Sequence, residues 1–147
     1  MKRKDKKLEQ RAASNLGINS IEDLMDMFED SERERFHRMF KINKVLGCGG
    51  FGVVLSVKDL QFGKNVALKI VYKRDVKFEM LKDEYDILKE LNHQNIIKIY
   101  SLINFENFLM MSMKLTKESL SEFSKRRQEE GKPLSDEECA SIMKGIF

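Results

Sequence analysis

The sequence predicts an α+β fold, and three observations predict it. From Phe40 onward, three short stretches rich in β-branched and apolar residues follow one another: FKINKVLG, GVVLSVKD and NVALKIVY. The period then turns helical from about Val76 to Leu91, and two further strand-like stretches follow, IIKIYSLI and NFLMMSM. Strands grouped around one long helix, rather than alternating with helices, point away from a parallel sheet.

Taken in order, residues 1–19 read as a basic arm. Residues 20–39 read as a helical extension: Ser20 with Asp23 makes a capping box, and Ile21, Leu24, Met25 and Phe28 share one face. Glu29 to Arg38 is dense in both charges, with Phe36, Met39 and Phe40 as anchors, so loose packing is expected there. The first three strands are joined by hairpin-like turns, one at a cluster of glycines and one at LQFGKN, and the last two by NFEN. A helix is expected from about Glu118 to Gln128. Another starts at Ser135, with Glu138 as its capping partner, after the breaker GKPL.

Composition narrows the function classes. At 147 residues, 41% hydrophobic and 35% charged, the chain is the size of one ordinary domain. No apolar run approaches the roughly 18–20 residues that span a bilayer. The start lacks the apolar stretch of a secretory signal, and Lys2 after Met1 excludes myristoylation there. Cys48 and Cys139 form neither a disulfide framework nor, with the two histidines, a zinc pattern, so a reducing, intracellular setting, cytoplasmic or nuclear, is expected. The formal charge is +3, and the arm alone carries +4, from six basic and two acidic residues. The remainder is near neutral, which argues against a broad nucleic-acid surface. The arm itself reads as a solvated tail, a nuclear address, or a contact for an acidic partner or anionic lipid.

The stretch LGCGGFGVVL sets Gly47, Gly49 and Gly52 in the spacing G-x-G-x-x-G. In a dinucleotide-binding fold that spacing opens a helix, whereas here VVLSV, a strand, follows it. A Walker loop would need Gly-Lys-Ser/Thr, which is absent. The glycines therefore belong to a strand-turn-strand, where missing side chains let backbone lie over phosphates; a hairpin that merely tolerates glycine is the alternative. On the next strand, Ala67 and Lys69 share a face by period two. An ammonium amid apolar residues is costly unless it meets an anion. Met80, Glu84, Ile87 and Leu91 recur at helical spacing, so Glu84 is expected on the stripe facing the sheet, as partner to Lys69. A snorkelling Lys69 and a rim position for Glu84 are the competing readings. Cys48 reads as an incidental small residue or a redox switch, and Cys139 as a packing residue.

With these motifs in order, the chain from about Phe40 to Phe147 resembles the amino-terminal lobe of the protein kinases. LGCGGFGVV is similar to their Gly-rich loop, VALK to V-A-I-K, and EYDILKELNHQNIIKIY to the segment with the helix glutamate and the H-x-N turn. The resemblance implies a lobe over 40–111 with a five-stranded antiparallel sheet and one large helix, a hinge at 112–117, and the first helices of a truncated second lobe over 118–147. It implies ATP as cofactor. Leu46, Val54 and Ala67 would roof the adenine, and Gly47, Gly49, Gly50, Phe51 and Gly52 would cover the phosphates. Lys69 would hold the α- and β-phosphates, with Glu84 orienting it. It places a gatekeeper at Met111, backbone contacts to adenine at Ser112 and Lys114, and a ribose contact at Glu118, in a register good to one residue. Ser112 replaces the usual acidic residue, and Thr116 and Lys117 replace the hinge glycines. His93 falls in the H-x-N turn as a structural residue.

The implied activity is transfer of the ATP γ-phosphate to Ser/Thr hydroxyls of a protein substrate, with Mg expected for the complete domain. Neither H-R-D-x-x-x-x-N nor D-F-G occurs in these 147 residues, so the base and the metal-holding residues are missing from them. The expectation is a chain inactive alone, ending at CASIMKGIF with Ile142, Met143, Ile146 and Phe147 bared. A non-catalytic nucleotide-binding or regulatory kinase-like module is the alternative.

Overall fold

A computed structural model describes residues 21–49, 52–74 and 78–146. Its elements are α1 (Ile21–Met27), α2 (Asp30–Met39), β1 (Phe40–Gly49), β2 (Gly52–Asp59), β3 (Lys64–Tyr72), α3 (Phe78–Glu90), β4 (Ile99–Asn104), β5 (Phe108–Lys114), α4 (Leu120–Glu129) and α5 (Asp136–Ile146). The five strands form one antiparallel sheet in the order β1-β2-β3-β5-β4. This is the architecture expected of the kinase amino-terminal lobe and the start of the second lobe.

Local chemistry explains the turns. Asp59 closes β2 by accepting the N–H groups of Gln61 at 2.9 Å and Phe62 at 3.3 Å, and Gly63 supplies the left-handed φ of +67° that re-enters β3. Between β4 and β5 the Phe105 N–H returns to the Phe108 carbonyl at 2.9 Å.

Alternation along the strands divides the apolar residues into two cores. The outer face carries Val53, Leu55, Val57, Val66, Leu68, Ile70, Phe108 and Met110. The inner face carries Val71, Leu109 and Met111, packed with Leu81 of α3 and Ile99.

Three expectations are corrected here, the last of them at Cys139. The extension over residues 20–39 packs tightly rather than loosely: Leu24, Phe28 and Phe36 are fully buried against the outer face. The Phe28 ring meets Phe36, Phe105 and Phe108 at centroid distances of 5.5, 5.8 and 4.7 Å, so the charged residues sit around an aromatic plug. Ser20, the expected cap, lies outside the described residues.

The second correction concerns α3. Its sheet-facing stripe is Leu81, Tyr85 and Leu88, not Met80, Glu84, Ile87 and Leu91. Met80 and Ile87 are 64% and 62% exposed, and Glu84 and Leu91 are exposed as well. Both stripes have helical spacing, and the branched and aromatic one fills the space over Val71 and Leu109.

The described residues fall into two compact units. The first runs to Leu91 and resumes over Lys98–Leu115; the second combines Asn92–Ile97 with the residues from Thr116. In the second, Ser119 and Glu122 cap α4 reciprocally, at 3.2 Å and 2.7 Å. Gly131, at φ +70°, ends α4 in a Schellman turn, with the Lys132 N–H on the Arg127 carbonyl at 2.8 Å. Ser135 and Glu138 cap α5 as the sequence predicts, at 3.1 Å and 2.9 Å. The His93 Nδ1 accepts the Asn95 N–H at 3.0 Å, a local turn contact in keeping with a structural role. Cys139 is exposed, which corrects its reading as a packing residue: α5 has no buried residue among those described. Met143 and Ile146 are exposed, and Phe147 lies outside the described residues.

Candidate functional site

Cross-strand register assembles the site on the inner face of the sheet. Lys69 pairs with Val54 on one side and Met111 on the other; Ala67 pairs with Ser56 and Met113. Antiparallel partners share a face, so the sheet carries two parallel rows, Val54–Lys69–Met111 and Ser56–Ala67–Met113. The first row sets one cation between two apolar side chains. The second sets the small residues Ser56 and Ala67, both buried, beside the half-buried Met113.

The glycine hairpin sits at the end of these rows. Gly47 pairs with Val54 and Gly49 with Gly52, and a bulge between Val45 and Gly47 leaves Leu46 unpaired and exposed. The glycines are not equivalent. Gly52, at φ +136°, lies against the Ile70 carbonyl, where no Cβ fits. A Cβ at Gly47 would meet nothing within 4 Å, so the folded chain leaves that side of the loop open to approach. Gly50 and Phe51 lie outside the described residues.

Lys69 and Glu84 are not brought together. No ion pair within 4.0 Å joins them among the described residues, because α3 presents Leu81, Tyr85 and Leu88 to the sheet and leaves Glu84 on its exposed flank.

On β5, alternation puts Met111 on the face of Ala67 and Lys69. Ser112 points the other way, its Oγ 2.6 Å from that of Ser101. Of the backbone groups of Lys114, a position expected to meet adenine, the N–H donates to the Lys98 carbonyl at 2.8 Å. β5 lies inside the sheet, so its backbone donors serve the ladder, and a purine edge at Lys114 would have to use the carbonyl or displace that bond.

Glu118, within the second unit, is clasped by Arg126, whose NH2 and Nε lie 2.6 Å and 3.2 Å from its two oxygens. The guanidinium holds the Glu118 carboxyl below the usual carboxylate range and is itself pushed further up by Glu118 and then Glu130. Arg127 does the same for Glu138, reinforced by the Ser135 backbone N–H. Sequence reasoning missed Arg126: Glu118 stands just before the Ser119 cap of α4 and Arg126 lies eight residues on within that helix, a separation that helical periodicity does not pair. Cys48 is exposed. No helix among the described residues is long and apolar enough to cross a membrane.

Comparison with known proteins follows the same segment. A family model described as "Protein kinase domain" matches residues 40–147. Calcium-dependent protein kinase 4 of Plasmodium berghei is 35% identical over 86 residues, 56% of this chain and 16% of that protein. The LEAF RUST 10 disease-resistance locus receptor-like protein kinase-like 1.3 of Arabidopsis thaliana is 40% identical over 90 residues, 59% of this chain and 12% of that protein. Serine/threonine-protein kinase DCLK2 of Homo sapiens is 35% identical over 89 residues, 59% of this chain and 12% of its own length. The matched stretch thus spans 16% or less of each of these relatives.

Proposed function

The chain belongs to the protein kinase family, whose domain model covers residues 40–147, and from that premise we propose that its sheet is the ATP-binding lobe of a kinase acting on protein Ser/Thr hydroxyls. The observation that carries the reading is the pair of rows Val54–Lys69–Met111 and Ser56–Ala67–Met113 with a glycine hairpin at their end. Val54, Ala67 and the exposed Leu46 offer apolar area to a purine. The Lys69 ammonium is the cation available to the α- and β-phosphates, and the open side of Gly47 admits the phosphate chain to the loop backbone, which Gly49, Gly50, Phe51 and Gly52 continue. Met111 closes the back of the row. Backbone groups of Ser112 and Lys114 are the candidates for the purine edge, and Glu118, held by Arg126, is the candidate for the ribose hydroxyls.

Glu84 keeps its proposed role as the partner that orients Lys69, reached by turning α3 so that its exposed flank meets the sheet. Mg accompanies ATP in this family. Among the described residues no three His, Cys, Asp or Glu side chains converge, so no residue here is assigned to it.

A second reading has its own support. Residues 1–147 contain neither H-R-D-x-x-x-x-N nor D-F-G, and Lys69 stands apart from Glu84. We therefore propose that this chain by itself binds ATP weakly and transfers no phosphate. It would then serve as a nucleotide-binding or regulatory module, or as part of a larger kinase.

The test is thermal stabilisation of the purified chain by ATP at millimolar concentration. A rise in melting temperature that Lys69→Met removes is expected. No rise would overturn the nucleotide reading, and phosphorylation of a protein by this chain with no other kinase present would overturn its inactivity.

A further inference from the structure

The family match begins at Phe40, yet the best-buried aromatic residues on the outer face include two that precede it, Phe28 and Phe36. We propose that residues 21–39 are a built-in strap that grips the β4–β5 turn and sets β5 from behind, with Phe28, Glu32 and Arg35 as its holding residues.

Three contacts of different chemistry converge on residues 104–108. The Phe28 ring stacks edge-on against Phe105 and Phe108, the residues that begin and end the turn closure. The buried Glu32 carboxylate accepts the Glu106 N–H at 2.6 Å through one oxygen, and through the other the Glu29 N–H that starts its own helix, at 3.4 Å. The Arg35 guanidinium donates to the Asn104 carbonyl at 3.1 Å and lies 4.5 Å from the Phe105 ring centroid. Inside the strap, Arg33 ties α2 back to α1 by donating twice to the Met25 carbonyl, at 3.1 and 2.9 Å.

The gripped turn feeds directly into β5. That strand presents Phe108 and Met110 to the strap side and Leu109 and Met111 to the inner face, where Met111 completes the row with Lys69. The strap and α3 therefore bear on opposite faces of one strand. Between its apolar anchors the segment is highly charged, with seven acidic and three basic residues over 20–39. Leu24, Phe28 and Phe36 share one core with Val53, Leu55, Leu68, Ile70, Phe108 and Met110, so letting go would bare that whole face, and the charged residues keep the outer side of the strap in water. Engagement of the strap, in this proposal, decides how firmly β5 holds Met111 opposite Lys69. The consequence for nucleotide rests on the function proposed above; the grip on the turn does not.

The test uses the whole chain with Glu32→Ala and Glu32→Gln, read by amide hydrogen exchange. Removing the acceptor should speed exchange at Glu106 by about tenfold or more, since hydrogen bonds to charged groups are among the stronger ones. The acceleration should spread to Phe108–Met111, and Glu32→Gln, which keeps a carbonyl oxygen, should recover most of the protection. The ATP-dependent rise in melting temperature should shrink in Glu32→Ala. Should that variant fail to fold, Arg35→Ala at an exposed position supplies the same readout. Unchanged exchange at Glu106, or a change confined to Glu106 with β5 untouched, overturns the strap. Altered exchange in β5 with the ATP-dependent rise intact overturns its coupling to the nucleotide row. A wild-type chain with no ATP-dependent rise removes the nucleotide function and the coupling together, and leaves the grip to be judged by exchange.

Discussion

Gly52 lies against the carbonyl group of Ile70 with a φ of +136°, so a Cβ at this position would fall within the neighbouring strand's backbone. Neither partner can yield cheaply, because Gly52 is paired with Gly49 in the β1–β2 ladder and Ile70 with Val53 in the β2–β3 ladder. Gly52→Ala is therefore expected to destabilise the chain by about 1–3 kcal/mol or more. Gly47→Ala meets open space and should change stability by no more than about 0.5 kcal/mol. Any loss of ATP-dependent stabilisation in the second variant then reports on the ligand rather than on the fold. Thermal melts of both, with and without ATP, make the comparison.

Lys69→Met keeps the length of the side chain and removes the charge from the middle of the row. The apolar flanks Val54 and Met111 accept a thioether readily, so the melting temperature without ATP should hold or rise slightly. Stabilisation by ATP should be lost. In any longer chain that carries the catalytic loop, phosphoryl transfer should fall steeply. Wild-type ATP stabilisation in this variant would remove Lys69 from its assigned role.

The orientation of α3 is tested by contrasting two residues three apart. Leu81 is buried against the inner face, so Leu81→Ala should cost about 2–5 kcal/mol. Glu84 is exposed, and Glu84→Ala should move stability by about 0.5 kcal/mol at most in the absence of ATP. Its proposed work with Lys69 should appear only as a smaller ATP-dependent rise. Denaturant melts that rank Glu84→Ala with Leu81→Ala would contradict this rotation of the helix.

The Glu118–Arg126 pair should titrate. Arg126 lowers the Glu118 pKa in the folded chain, so the pair contributes above the ordinary glutamate range and is lost as pH falls through the depressed value. Both groups are solvent-accessible, so the effect on stability is small and salt-sensitive. Arg126→Met should return the Glu118 carboxyl to the ordinary range, read by side-chain carboxyl NMR across an acid titration. An unmoved Glu118 titration would mean the clasp does not persist in solution.

Much of this architecture could be read along the chain because its causes are local. Strand alternation placed Ala67 and Lys69 on one face, the glycines marked the hairpin, and Ser135 with Glu138 announced α5 through a cap whose two partners are three residues apart. The choice between the two stripes of α3 was not local. Met80–Ile87–Leu91 and Leu81–Tyr85–Leu88 lie about 100° apart around one helix, both at proper spacing. Only the shape of the space above Val71 and Leu109 selects between them.

The extension teaches the same lesson from the other side. Its charge density suggested a loose segment, and nothing nearby in sequence contradicts that impression. Glu32 finds its donor at Glu106, 74 residues away, and Phe28 finds its socket between Phe105 and Phe108. Backbone period, turn chemistry and caps depend on neighbours within a few residues, so the sequence by itself determined the elements, their order and the family they belong to. Which flank of a helix is buried, which backbone donor is already taken at Lys114, and which carboxylate is buried on a distant N–H depend on partners that only folding brings within reach, and the tertiary structure alone decided them.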